Sequence, residues 1–134
     1  MNFKDYMGDG NFEGAGFIFM TPDNLVLILK KTNKKYSFAG GHREKGETPI
    51  ETAKRECKEE IGFLPKGDIF NFIKYKRSKT NGWGYSFLMR VDEPFVPTLS
   101  NEHISYKWIP KSELKNIQLS NAVKDILPHL KNII

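Results

Sequence analysis

Gly41-His42-Arg43-Glu44-Lys45-Gly46-Glu47-Thr48-Pro49-Ile50-Glu51-Thr52-Ala53-Lys54-Arg55-Glu56-Cys57-Lys58-Glu59-Glu60-Ile61-Gly62-Phe63 is the stretch on which the fold turns. Thr48 is a natural N-cap, Pro49 suits the first helical position, and Glu51 follows Thr48 at capping-box spacing. Gly62 is placed to end the helix in the left-handed conformation. Ile50, Ala53, Cys57 and Ile61 recur at helical spacing. The pattern therefore predicts an amphipathic helix over 49–61 with that stripe facing a core.

Beside the apolar stripe stand Glu56, Glu59 and Glu60, at i, i+3 and i+4. Like charges so placed repel by roughly 0.2–0.5 kcal/mol per pair. The helix dipole disfavours anions in the last turn by roughly 0.3–1 kcal/mol each. Arg55 and Lys58 offset part of this, but local helix stability does not account for the cluster. A divalent cation does: magnesium takes carboxylate and carbonyl oxygens and keeps waters for a phosphate-bearing ligand. A merely solvated acidic face is the competing explanation.

Outward from this helix the chain reads as strands. Gly14 to Met20 and Leu25 to Lys31 predict a hairpin across the turn signal Thr21-Pro22-Asp23-Asn24. Tyr36 to Phe38 is a short extended piece running into Gly40-Gly41. Downstream, strands are expected over 69–76, 84–91 and 104–109, with a turn at 78–82 and a proline-bearing loop over 92–102. A helical turn follows at 110–114, then a terminal helix over 120–130 that Pro128 bends or ends. Residues 1–13 read as a loose arm or a short edge element. The order β-β-α-β-β-β-α predicts an α+β fold, a mixed sheet with helices on its faces.

At 134 residues the chain is expected to be one domain with a real core. Its 28% charged and 39% apolar residues exclude a disordered or fibrous chain. No apolar run nears the roughly 20 residues a spanning helix needs. The first residues lack the layout of a secretory signal, and one cysteine fits a reducing cytoplasm, the expected location. The net charge of +5 favours anionic partners. Its lysine-rich runs, at 30–35 and 74–79, can attract phosphate of a nucleotide or nucleic acid but are read mainly as solvated faces.

The stretch 41–63 resembles the signature of the Nudix hydrolases, G-x5-E-x7-R-E-U-x-E-E-x-G-U, with U bulky and apolar. All seven fixed positions are matched, by Gly41, Glu47, Arg55, Glu56, Glu59, Glu60 and Gly62. A chance match is on the order of one in ten million. Cys57 stands where the family prefers an aliphatic residue, and Ala39 replaces a proline usual before the glycine pair. Cys57 is read as a small apolar filler.

The resemblance implies an α/β/α sandwich and hydrolysis of a nucleoside diphosphate linked to another group, with magnesium or manganese. Carried over by position, Glu56, Glu59 and Glu60 ligate metal, joined by the carbonyl of Gly40. Glu47 and Arg55 orient the cluster, and Gly41 lets backbone approach phosphate. Glu56 is the first candidate for the base that deprotonates water. Glu102 and His103, six and five residues before Trp108, are further candidates, or an exposed loop pair.

For the substrate, Tyr36 to Gly41 and Gly46 to Pro49 resemble the MutT branch, which cleaves nucleoside triphosphates to monophosphate and pyrophosphate. In that branch an asparagine placed like Asn121 contacts a purine; the competing reading is that Ser120 or Asn121 caps the last helix. Phe38 is the binding candidate among Phe17, Phe38, Trp83, Tyr85 and Phe87, of which at least three are expected to be core. Markers of ADP-ribose and dinucleoside polyphosphate hydrolases are missing. The expected partner is a nucleotide, met by a monomer or homodimer without a membrane. Nucleotide sugars, dinucleotides, RNA caps and a non-catalytic nucleotide- or RNA-binding role are the alternatives.

Overall fold

A computed structural model describes residues 11–131. Strands β1 (Gly14–Met20) and β2 (Leu25–Lys31) form where the two apolar runs predict them. The turn between them uses asparagine's tolerance of the left-handed region, with Asn24 at φ 65°. Thr21 closes it, accepting from Leu25 N at 3.0 Å and donating to Asp23 Oδ1 at 2.6 Å.

The two strands splay almost at once: their register contact is Met20 with Val26. Two short strands follow, β3 (Tyr36–Ser37) and β4 (Ala39–His42). Strand β4 lies antiparallel to β1, from Gly14 opposite His42 to Phe17 opposite Ala39. It is a strand where the sequence suggested only an approach to the helix. Its glycines carry little strand propensity of their own, and the pairing rests on close backbone contact. A Cβ on Gly16 would run into the Ala39 carbonyl and the Gly40 Cα.

Helix α1 (Pro49–Ile61) has the expected caps. Thr48 Oγ1 accepts from Glu51 N at 3.4 Å, and Glu51 Oε1 accepts from Thr48 N at 2.9 Å. Gly62 ends the helix at φ 89°, its N–H donating to Lys58 O. Strands β5 (Asp68–Lys76), β6 (Trp83–Arg90) and β7 (His103–Pro110) follow, then a 3-10 helix (Lys111–Asn116) and helix α2 (Asn121–Leu130). The sheet runs β3-β2-β1-β6-β5, with β7 beside β2 and β4 beside β1. It is mixed, since β1 and β6 are parallel while the other pairs are antiparallel.

Alternation along β1 builds two cores. Phe17 and Phe19 pack with Ala53, Cys57 and Ile61 of α1. Ile18 and Met20 pack on the other face with Val123, Ile126 and Leu130 of α2. Each such large side chain, fully buried, contributes roughly 1.5–3 kcal/mol. Cys57 is part of this packing; burial pushes its thiol up to about 12, and Sγ sits 3.4 Å from Phe63 O. The fold is thus the α+β sandwich expected.

Two terminal segments take definite form. Of the loose arm over 1–13, residues 1–10 lie outside the described residues. Residues 12 and 13 are tied down: Phe12 is buried and Glu13 N donates to Trp83 O at 2.8 Å. Helix α2 runs to Leu130, as the sequence predicts, with Pro128 inside its last turn and Ile126 and Leu130 held in the core. Among the described residues no helix is long and apolar enough to cross a membrane.

Candidate active site

The turn before α1, strand β4 and helix α1 converge on one arginine. Arg55 Nε donates to Glu47 Oε2 at 2.7 Å and Nη2 to Glu47 Oε1 at 3.1 Å, the two-pronged grip that a guanidinium fork allows. Nη2 also reaches His42 O at 2.8 Å, while Nη1 donates to Glu56 at 2.9 Å and Glu59 at 3.2 Å. Glu47 further accepts from Glu44 N at 2.7 Å and Thr52 Oγ1 at 2.9 Å. The Arg55 bond is the main cause holding the Glu47 carboxyl down to about 2, and these bonds raise the Arg55 pKa in turn.

The carboxylates differ in surroundings. Glu59 is exposed and turned to Arg55. Glu56 lies across Gly41, where any Cβ would collide with its carboxylate. Burial raises its pKa, with Glu59 and Glu102 adding to the rise. Glu60 is only 4% exposed, accepts from Gly40 N at 2.6 Å, and is pushed up to about 8 by burial, with Glu56 and Glu102 raising it further. His103 Nε2 stands 3.4 Å from Glu60 Oε2. Burial lowers the His103 pKa and raises that of Glu60, disfavouring charge on both groups.

These groups border a cleft of about 520 Å³. Gly40, Gly41, Glu56 and Glu60 line it with Glu102 and His103 from the start of β7, Phe38, and Asn121 at the start of α2. Glu47, Arg55 and Glu59 are not on the lining; Arg55 meets it through its bond to Glu56. Ser120 is the N-cap by position, yet its hydroxyl makes no capping bond. Of the five aromatics, Phe17 and Phe87 are core, while Phe38 and Tyr85 are buried yet border the cleft. Trp83, 37% exposed, lies away from it under the ammonium groups of Lys74 and Lys76. Sequence reasoning missed Lys31, Lys35, Arg77 and Lys79, which also line the cleft. Their signal was the two lysine-rich runs read as solvated faces.

Among the described residues no three His, Cys, Asp or Glu side chains are grouped to hold a metal ion. The donor chemistry still fits a hard cation: Glu56 and Glu60 are oxygen donors whose burial leaves negative charge poorly compensated. Magnesium commonly uses only one or two carboxylates plus substrate phosphates. Gly40 meets the cluster through its N–H, bonded to Glu60.

The NUDIX domain family model matches residues 11–130. The chain belongs to the Nudix family. As a Nudix domain it is a hydrolase acting on pyrophosphate bonds. A Caenorhabditis elegans Ap4A hydrolase, solved as a binary complex, superposes with TM-score 0.74 at 19% identity, over 90% of this chain and 97% of that one. The Nudix hydrolase RenU of Mycobacterium smegmatis gives 0.74 at 16%, over 92% and 86%. A MutT protein from Methanosarcina mazei Go1 gives 0.67 at 19%, over 92% and 96%. No curated protein matches the sequence. At these identities the likeness is one of fold.

Proposed function

We propose that this Nudix chain is a divalent-metal-dependent pyrophosphohydrolase that cleaves a nucleoside triphosphate to monophosphate and pyrophosphate. The observation that carries the reading is one cleft with the half-buried Glu56 and the buried Glu60 beside Phe38, Tyr85 and Asn121. In this reading Glu56 and Glu60 hold magnesium or manganese, with Glu59 and the Gly40 carbonyl as the remaining box donors. The ion, when bound, neutralises phosphate oxygens and makes a bound water more acidic.

The chain's own residues do the rest. Arg55, fixed by Glu47, keeps Glu56 oriented toward the cleft. Glu56 accepts the proton of the attacking water, and Glu102 and His103 are two further groups within the lining able to do so. Gly41 leaves the space in which phosphate meets backbone. Phe38 and Tyr85 wall the base, and the Asn121 amide, with both donor and acceptor, suits a purine edge. The buried single thiol suits work in a reducing cytoplasm.

A dinucleoside polyphosphate is the second reading, favoured by four cations on the lining, Lys31, Lys35, Arg77 and Lys79, which exceed the needs of a short phosphate chain. Screening nucleoside triphosphates, oxidised dGTP, ADP-ribose, dinucleotides and nucleotide sugars with magnesium or manganese tests both. Pyrophosphate released from a triphosphate is the expected product. No turnover of any of these compounds would remove the proposal.

A further inference from the structure

The turn between β5 and β6, residues 77–82, brings Arg77 and Lys79 to the cleft from outside the Nudix box. Its sequence, Arg77-Ser78-Lys79-Thr80-Asn81-Gly82, is polar and short of packing groups. It is nevertheless anchored twice, by carboxylates distant in the chain. Glu13 accepts a hydrogen bond from Thr80 Oγ1, and its other oxygen lies 3.9 Å from Arg77 Nη1. Gly82 makes room for this, since a Cβ there would collide with the Glu13 carboxylate. From α2, Asp125 Oδ2 accepts from Ser78 N at 3.0 Å and from Ser78 Oγ at 3.1 Å.

The arginine itself keeps a donor uncommitted. At 3.9 Å the Glu13 contact is too long for a hydrogen bond. Nη1 is buried with no hydrogen-bond partner among the described residues. Enclosed on the Glu13 side, Nη1 is not itself open to the cleft; it fixes the guanidinium, whose other nitrogens are the ones a phosphate can meet, and phosphate oxygens match such a fork. Asp125 lies four residues after Asn121 on α2, so one helix supports both the base end of the cleft and this turn.

We propose that the 77–82 turn is a second phosphate grip. Arg77 and Lys79 take phosphate oxygens of the substrate away from the box carboxylates, and Glu13 and Asp125 are positioning residues that hold the turn for them. This rests on reading the cleft as a nucleotide site, but not on cleavage.

The experiment is calorimetric titration of inorganic triphosphate into the full chain at low salt with EDTA, so that neither metal nor hydrolysis contributes. Wild type is expected to bind, and Arg77→Ala to weaken binding about tenfold, the loss of a charge-assisted bond. Asp125→Ala should weaken it about threefold to tenfold, with Asp125→Asn restoring it because a single oxygen accepts both Ser78 bonds. In hydrolysis assays both weakened variants should raise KM and keep kcat. Absence of wild-type binding, unchanged affinity in Arg77→Ala and Asp125→Ala, or failure of Asp125→Asn to restore it overturns the grip. A chain that grips triphosphate as described yet cleaves no pyrophosphate compound refutes the hydrolase reading instead. Cleavage without these binding effects refutes the grip alone.

Discussion

The two helices lie on opposite faces of one sheet and reach the same cleft, yet their ends are built differently. Helix α1 is closed at both ends, by the reciprocal Thr48–Glu51 bonds and by Gly62. Helix α2 begins at a serine whose hydroxyl makes no capping bond and is buried without a partner among the described residues. It also carries Pro128 in its last turn. The helix that bears the carboxylates is locked, whereas the helix beside the substrate end leaves polar groups uncommitted. Fixed geometry serves bond cleavage, and spare hydrogen-bonding capacity serves recognition.

The comparison breaks most sharply at α1. Glu56→Gln should lower kcat by about a thousandfold, within the range for losing a positioned proton acceptor, while thermal unfolding stays near wild type. Steady-state kinetics on the best substrate, with a melting curve, checks both halves. Arg55→Ala should cost about 2–3 kcal/mol, because it strands Glu47 and Glu56 without their charged donor, and activity should fall with it. Urea denaturation measures this.

The Glu47–Arg55 pair also sets an acid limit. The Glu47 pKa is depressed from 4.5 to about 2, so its contribution is present above about 4.5 and is lost as pH falls through 2. Wild type and Glu47→Gln should therefore differ by about 1–3 kcal/mol at neutral pH and converge toward pH 2 in a pH series of unfolding. The smallest effects sharpen the contrast of the caps. Thr48→Ala should destabilise by about 1 kcal/mol. Ser120→Ala should lie within about 0.5 kcal/mol of wild type or stabilise slightly, since it removes a buried hydroxyl with no partner.

The asymmetry also explains what was legible in the sequence. Helix α1, its caps, its buried stripe and the box are local patterns within 23 residues, and each is found where the spacing put it. Phe38, Gly41, Glu56, Glu102, His103 and Asn121 do share a cleft, though they are scattered from residue 38 to 121. What stayed hidden depended on pairing between distant strands. Strand β4 exists because Gly14 and Gly16 of β1 accept it closely, which a propensity reading of Ala39-Gly40-Gly41 does not register. Likewise Lys31 and Arg77 look like ordinary surface charge until β2 and β5 are placed on either side of β1 and β6. The divergence of β1 from β2 after one paired position is equally non-local, since β4 takes the place beside β1.

Cys57, enclosed beneath α1 with its thiol held protonated, has a practical consequence. A thiol-directed dye can reach it only when that layer comes apart, because reaction needs both access and a thiolate. The folded chain thus contains its own timer: the rate of labelling reads how often α1 lifts from the sheet, and a tightly bound nucleotide should slow the clock.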